Sequence, residues 1–364
     1  MTAPLSAVFM GTPEFAAEIL RRALACPAVK ITAVYSQPDR PAGRGKALKA
    51  PAVKELALEL GLPVYQPVNF KDQADVDTLA ALRPDVLLVA AYGLILPQRV
   101  LDIPRLMPVN VHASLLPAYR GAAPIQRAIM DGRSVTGVTI MRMEAGLDTG
   151  PILLQRAVGI DINDTSGDLH QELAEEGGDL LCTAMTRLAA GTLNAIGQED
   201  ARSSHAPKID KKEGRVDLRL PAQTLHAHIR GLSPRPGATL ILQRPGKDDL
   251  PVLVEPGVFP LPADLPIHAA NGLPQPPALP GTILGTHGTA LLVACGDGVY
   301  AFDSLRPAGK KGMDGKAFAA GYLGKDTPGI FALPENAPAA APLNTSGAST
   351  ANTPGAAALP RTTP

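Results

Sequence analysis

The sequence predicts an α/β protein in two parts, a Rossmann-like domain on a mostly parallel sheet and then a smaller OB-like β-barrel domain. Three observations carry that expectation. Up to about residue 190, short Val/Ile/Leu runs alternate with amphipathic helical stretches, the pattern of a parallel sheet with crossover helices. From about residue 206 the apolar runs are short, Gly and Pro punctuate them, and helical periodicity is scarce, as in a small all-β module. The chain is 364 residues long, too much for one ordinary core.

The elements follow in order. Ala7 to Met10 is a short apolar run ending at Gly11, and PEFAAEILRRALA after it has helical spacing with Pro13 in the first turn. KITAVYS (30–36) reads as a second strand and APAVKELALELG as a helix closed by Gly61. DVLLVAAY (85–92) is continuously apolar, as expected of a strand buried on both faces. VNVHAS (109–114) and TGVTIMRME (136–144) are further strands with a helix, APIQRAIMDG, between them, and a long amphipathic helix runs from Ser166 to about Ala190. Residues 191–205 read as a linker and 206–330 as the barrel, with a Pro-rich surface loop at 256–281. The segment 331–364 holds almost no charge, so a disordered low-complexity tail is expected there.

Composition narrows the functional classes. Lys+Arg and Asp+Glu both total 34, so any basic binding face must be local. Cys26, Cys182 and Cys295 lie far apart, with no metal-ligand spacing, which argues against disulfides and for a reducing compartment. There is no secretory signal pattern and no apolar run of about 18 residues, so a soluble cytoplasmic protein with no membrane partner is expected. His205, His226, His228, His268 and His287 lack H-E-x-x-H spacing, and no metal is expected.

The densest chemical signal is NVHASLLPAYRGAAPIQRAI, beginning at Asn110. Asn110 and His112 are two apart at a strand end, so their side chains share a face, and strand ends are where open parallel sheets bind ligands. An amide donor beside an imidazole suits acyl-type transfer: the amide steadies a developing oxyanion and the ring moves a proton. Asp148, in the Gly-flanked loop after TGVTIMRME, is the candidate carboxylate to orient that ring, with both strands expected to end at one sheet edge. Read singly, Asn110 and His112 could merely satisfy loop backbone, and Asp148 could cap its loop. Ser114 lies along the same strand as His112 rather than facing it, which disfavours a serine nucleophile. FMGTPEF is not G-x-G-x-x-G, and a tight turn before a helix is its plainer reading.

These residues resemble a known family. FMGTPEFA (9–16), QPDRPAGRGK (37–46), AYGLILP (91–97), NVHASLLPAYRGAAPIQRAI (110–129) and GLDTGPIL (146–153) are similar to the folate-dependent formyltransferases, and in particular to the methionyl-tRNA formyltransferase family. HAPKIDKKEGRVD (205–217) and LRPAGKKGMDGKAFAAGY (305–322) extend the resemblance through the second domain, so that it covers about residues 5–325. It implies formyl transfer from 10-formyltetrahydrofolate to the α-amine of methionine on initiator methionyl-tRNA, for translation initiation. It implies Asn110, His112 and Asp148 as catalytic residues and the run Ser114, Leu115, Leu116 and Pro117 as folate-binding. Arg44, in the basic loop with Arg40 and Lys46, would enter the tRNA acceptor end, with Lys208, Lys310 and Lys311 as further tRNA contacts. A monomer is the expected state. The chain departs from the family in having no Trp and in its Pro-rich insertion. Formyl transfer to a nucleotide sugar or to glycinamide ribonucleotide, and tRNA binding with a decayed site, are the alternatives left standing.

Overall fold

The computed structural model describes residues 3–42, 47–257, 259–260, 278–324 and 329–335. The chain begins with β1 (Leu5–Gly11), α1 (Glu14–Ala25) and β2 (Val29–Tyr35). A hairpin of β3 (Arg40–Ala42) and β4 (Ala47–Lys49) leads to α2 (Ala52–Glu59), β5 (Val64–Tyr65) and α3 (Gln73–Ala81). Then come β6 (Val86–Ala90), α4 (Gln98–Leu101), β7 (Met107–His112), β8 (Arg120–Gly121), α5 (Pro124–Met130), β9 (Val135–Arg142), β10 (Ile152–Gly159) and α6 (Ser166–Ala189).

The main sheet has seven strands in the order β10-β9-β7-β6-β1-β2-β5. The five from β7 to β5 are parallel, and β9 and β10 extend the sheet antiparallel. The central strands are apolar throughout because both faces are covered. Ala7 and Phe9 of β1 and Val86, Leu88 and Ala90 of β6 enter one core with α1 and α6, whereas Val8, Met10, Leu87 and Val89 enter a second core with α3 and α4. The helix α6 starts at a capping box: the Thr165 hydroxyl accepts from Asp168 N–H and the Asp168 carboxylate accepts from Thr165 N–H.

The antiparallel turn of β9 corrects an expectation. Val109 pairs with Arg142 and His112 with Thr139. The end of β9 therefore lies three residues, about 10 Å, below His112 rather than beside it. Asp148 is not carried to the His112 edge by its strand.

The second part opens with β11 (His205–Ala206) and α7 (Ala222–Leu232), followed by β12 (Ala238–Gln243), β13 (Leu250–Val254), β14 (Ile283–His287), β15 (Ala290–Cys295), β16 (Gly298–Phe302), β17 (Leu305–Pro307), α8 (Gly315–Tyr322) and β18 (Ile330–Ala332). Two antiparallel sheets, β17-β13-β12-β18 and β14-β15-β16, share one core with α7 and α8. Helical content here exceeds the sequence expectation: Leu225, Ile229 and Leu232 of α7 are spaced to face that core. The expected disordered tail also begins too early. Phe331 is fully buried and β18 pairs with β12, because an aromatic side chain there completes the core. Residues 336–364 and most of the Pro-rich loop lie outside the described residues.

The two parts are in close contact. α5 packs against α7, His226 bonds the carbonyl of Ile162, and Ser166 Oγ donates to the carbonyl of Ser233 at 2.6 Å. Arg230 is buried and donates to the carbonyls of Asp161 and Asp164. Cys26 and Cys182 are joined by a disulfide, contrary to the sequence expectation. Packing of α1 on α6 brings positions 156 apart in sequence to a Cα separation of 5.5 Å. No helix among the described residues is long and apolar enough to cross a membrane.

Candidate active site

At the carboxyl ends of β6 and β7 a cleft of about 1110 Å³ opens between the two parts of the molecule. Asn110, His112 and Asp148 all line it, so the structure brings the three candidate catalytic residues together. The apolar wall comes from Phe15, Val89, Tyr92, Leu94, Met143 and Leu147.

His112 ends β7 with its ring 6% exposed. Its Nε2 lies 2.9 Å from the carbonyl of Tyr119, an acceptor only, so Nε2 carries the proton. Its Nδ1 lies 3.6 Å from Asp148 Oδ2. That spacing exceeds a hydrogen bond, and the two groups form an ion pair only while the ring is protonated. The same Asp148 oxygen accepts the Gly121 backbone N–H at 2.9 Å. Asp148 and Tyr119 both hold left-handed backbone conformations, at φ 54° and 61°. Such conformations are uncommon in non-glycine residues and persist where neighbours enforce them. Gly121 has φ 126°, and a Cβ there would meet the carbonyl of Ala206 at 2.7 Å, so only glycine fits.

Ser114, Leu115, Leu116 and Pro117 are not brought into the cleft. Ser114 is fully buried, with its hydroxyl on the carbonyl of Ala118 at 2.6 Å. Thr139 Oγ1 bonds the carbonyl of Ser114 and the N–H of Leu116, and Gln155 donates to the carbonyl of Leu116. The run is thus tied to β9 and β10 through Thr139 and Gln155.

Among the expected tRNA contacts Lys208 lines the cleft, and a second cation on its lining, Arg235, was not among those expected. Arg40 is exposed at the base of the hairpin, where its guanidinium meets the side chain of Gln37. Gln37 Nε2 in turn donates to the carbonyl of Tyr92 at 3.0 Å, joining the hairpin base to the cleft wall. Lys54 pairs with Asp39 at 2.8 Å. Arg44 and Lys46 lie outside the described residues. Lys310 and Lys311 are exposed on the loop after β17 and do not line the cleft. No cluster of metal-ligating side chains occurs among the described residues.

Sequence reasoning missed Tyr119 and Gly121, which act through backbone groups. The only signal for them is a glycine directly after the motif's arginine, in YRG.

Comparison with known proteins adds a family. A formyl transferase profile matches residues 6–185, and a formyl transferase C-terminal domain profile matches residues 208–323. The chain is 50% identical over 339 residues to the methionyl-tRNA formyltransferase of Nitratidesulfovibrio vulgaris, covering 92% of this chain and 99% of that one. It is 48% identical over 311 residues to the methionyl-tRNA formyltransferase of Pseudomonas syringae pv. syringae, covering 85% and 93%. An N-formyltransferase from Helicobacter canadensis, solved in complex with folinic acid and dTDP-3-aminofucose, shares the fold with a TM-score of 0.55 at 16% identity, over 82% of this chain and 98% of that one.

Proposed function

This chain belongs to the formyl transferase family, and from that premise we propose that it transfers the formyl group of 10-formyltetrahydrofolate to the α-amine of methionine on initiator methionyl-tRNA. The observation that carries the reading is the convergence of Asn110, His112 and Asp148 at one end of the cleft, with Asp148 Oδ2 3.6 Å from His112 Nδ1.

The roles follow from the chemistry of each group. The amine attacks the formyl carbon, a new C–N bond forms, and the bond to folate N10 breaks. The Asn110 amide donates to the formyl oxygen as it gains charge. His112 takes the proton released by the amine at Nδ1, since Nε2 is held by Tyr119, and returns a proton to the departing N10. The Asp148 carboxylate compensates the charge while the ring is protonated. The apolar wall from Tyr92 to Leu94 suits the flat head of a folate, and the cleft volume exceeds what one drug-sized ligand fills, leaving room for an aminoacyl end.

For the acceptor, Lys208 and Arg235 line the cleft, and the basic hairpin with Arg40, Arg44 and Lys46 is joined at its base to the cleft wall. Lys and Arg there would meet the phosphates of an RNA end. Lys310 and Lys311 would serve a more distant part of the tRNA. A cytoplasmic monomer fits this reading, because one chain supplies all three catalytic groups and the acceptor belongs to translation.

The test is formyl transfer from 10-formyltetrahydrofolate to methionyl-initiator tRNA, with methionyl-elongator tRNA as the paired control. Transfer to the initiator alone is expected. Transfer to neither, with the folate still bound, would move the acceptor to a sugar or nucleotide amine.

A further inference from the structure

The segment between the two domains, expected to be a mere connector, runs back along the catalytic domain. Ile196 bridges Ile152, and β11 pairs in parallel with β8, His205 opposite Arg120 and Ala206 opposite Gly121. Two of its side chains meet the backbone that surrounds His112. Gln198 Nε2 donates to the carbonyl of Asp148 at 2.8 Å and to that of Gly150 at 2.7 Å. Its Oε1 accepts from Arg120 Nε and Nη2 at 3.0 and 2.8 Å, which fixes the amide's orientation. Ser204 Oγ accepts the N–H of Tyr119 at 2.9 Å.

Each contact falls where the backbone needs holding. Tyr119 and Asp148 are the two left-handed non-glycine residues that present groups to His112, one to each ring nitrogen. The antiparallel run of β9 adds a second reason for Asp148: its loop starts about three residues below His112 and must climb back, so the strand cannot set its position.

We propose that the interdomain segment 196–206 is a working part of the formyl-transfer site, with Gln198 the positioning residue for Asp148 and Ser204 the positioning residue for Tyr119. Gln198 pins the main chain of residues 148–150, so that Asp148 Oδ2 stays within reach of both His112 Nδ1 and the Gly121 N–H. The inference rests on the formyl-transfer reading for its kinetic arm alone.

The variants are Gln198→Glu, which keeps the volume and the Arg120 partner but turns an acceptor onto two carbonyls, and Gln198→Met, which removes every hydrogen bond. Both should lower kcat about tenfold or more, with KM for each substrate within about threefold, because a displaced catalytic group costs turnover rather than binding. In an Asp148→Ala background, Gln198→Met should change kcat less than about twofold, since its effect passes through the missing carboxylate. A full tenfold loss persisting in that background would overturn the role, as would a rise in KM alone. The second measurement needs no turnover. In histidine-labelled full-length protein, with the His112 ring signals assigned by their loss in His112→Ala, Gln198→Met should shift those signals and leave those of His226 in place. Unmoved His112 signals would sink the inference. An inactive wild-type protein would count against the formyl-transfer reading alone, and the ring signals would still decide the role of Gln198.

Discussion

At the scale of single residues, the site separates one nitrogen of His112 from the other. Nε2 is committed to a backbone carbonyl that cannot give or take a proton, so the exchangeable position is Nδ1, facing Asp148. On the proposed roles, loss of the ring or of the carboxylate would remove charge handling in the transition state while leaving the walls of the cleft intact. His112→Ala and Asp148→Ala should each lower kcat by about 10²–10⁴ and leave tRNA affinity within about threefold, measured by single-turnover formylation beside tRNA filter binding. Equal losses in turnover and in binding would remove the assigned roles. Asn110 and His112 were legible because a period of two puts them on one face, and Asp148 stood out in its Gly-flanked loop. Ser114 to Pro117 were named as folate contacts through the family resemblance, and among the described residues they do not line the cleft. The chain turns away after β7 and is fixed from behind by Thr139 and Gln155.

At the scale of elements, β18 illustrates how a compositional boundary misleads. Low charge begins near residue 331, but one aromatic side chain at Phe331 is enough to draw a three-residue strand into the core beside Phe318. Phe331→Ala should cost about 3–5 kcal/mol of stability, read from urea unfolding, and an unchanged midpoint would place β18 outside the cooperative unit. The same limit on local pattern explains the other differences. The apolar run of β9 was plain, but its direction shows only in its antiparallel pairing with β7, which no periodicity records. The spacing that marks α7 was present at Leu225, Ile229 and Leu232, hidden among Gly- and Pro-rich strands. The Cys26–Cys182 bond depends on α1 lying against α6, a long-range contact that counting cysteines cannot anticipate.

At the scale of the whole molecule, the two domains meet through buried polar groups that fix both orientation and pH response. His226 lies between Tyr300 and the carbonyl of Ile162, and burial, with Arg230 nearby, pushes its ring down to about 4. His228 is lowered in the same sense, chiefly by burial. A histidine that must stay neutral when folded contributes nothing adverse above about pH 6.5. Between pH 6.5 and 4 the unfolded chain takes up the proton and the folded chain resists it, so stability falls as the pH drops, by about 3 kcal/mol from His226 in full. Urea midpoints followed across that range should decline, and His226→Phe should flatten the decline. A wild-type curve with no slope there would mean that the ring is protonated inside the folded interface.

The pairing of β11 with β8 also bears on how this protein could be recombined with its relatives. A chimera joined near residue 190, where the composition changes, would graft a foreign strand and a foreign Gln198 position onto the catalytic domain. Joined after Pro207, it would carry its own strand with it. The unit of exchange is longer than the unit of composition, and the seam belongs on the far side of β11.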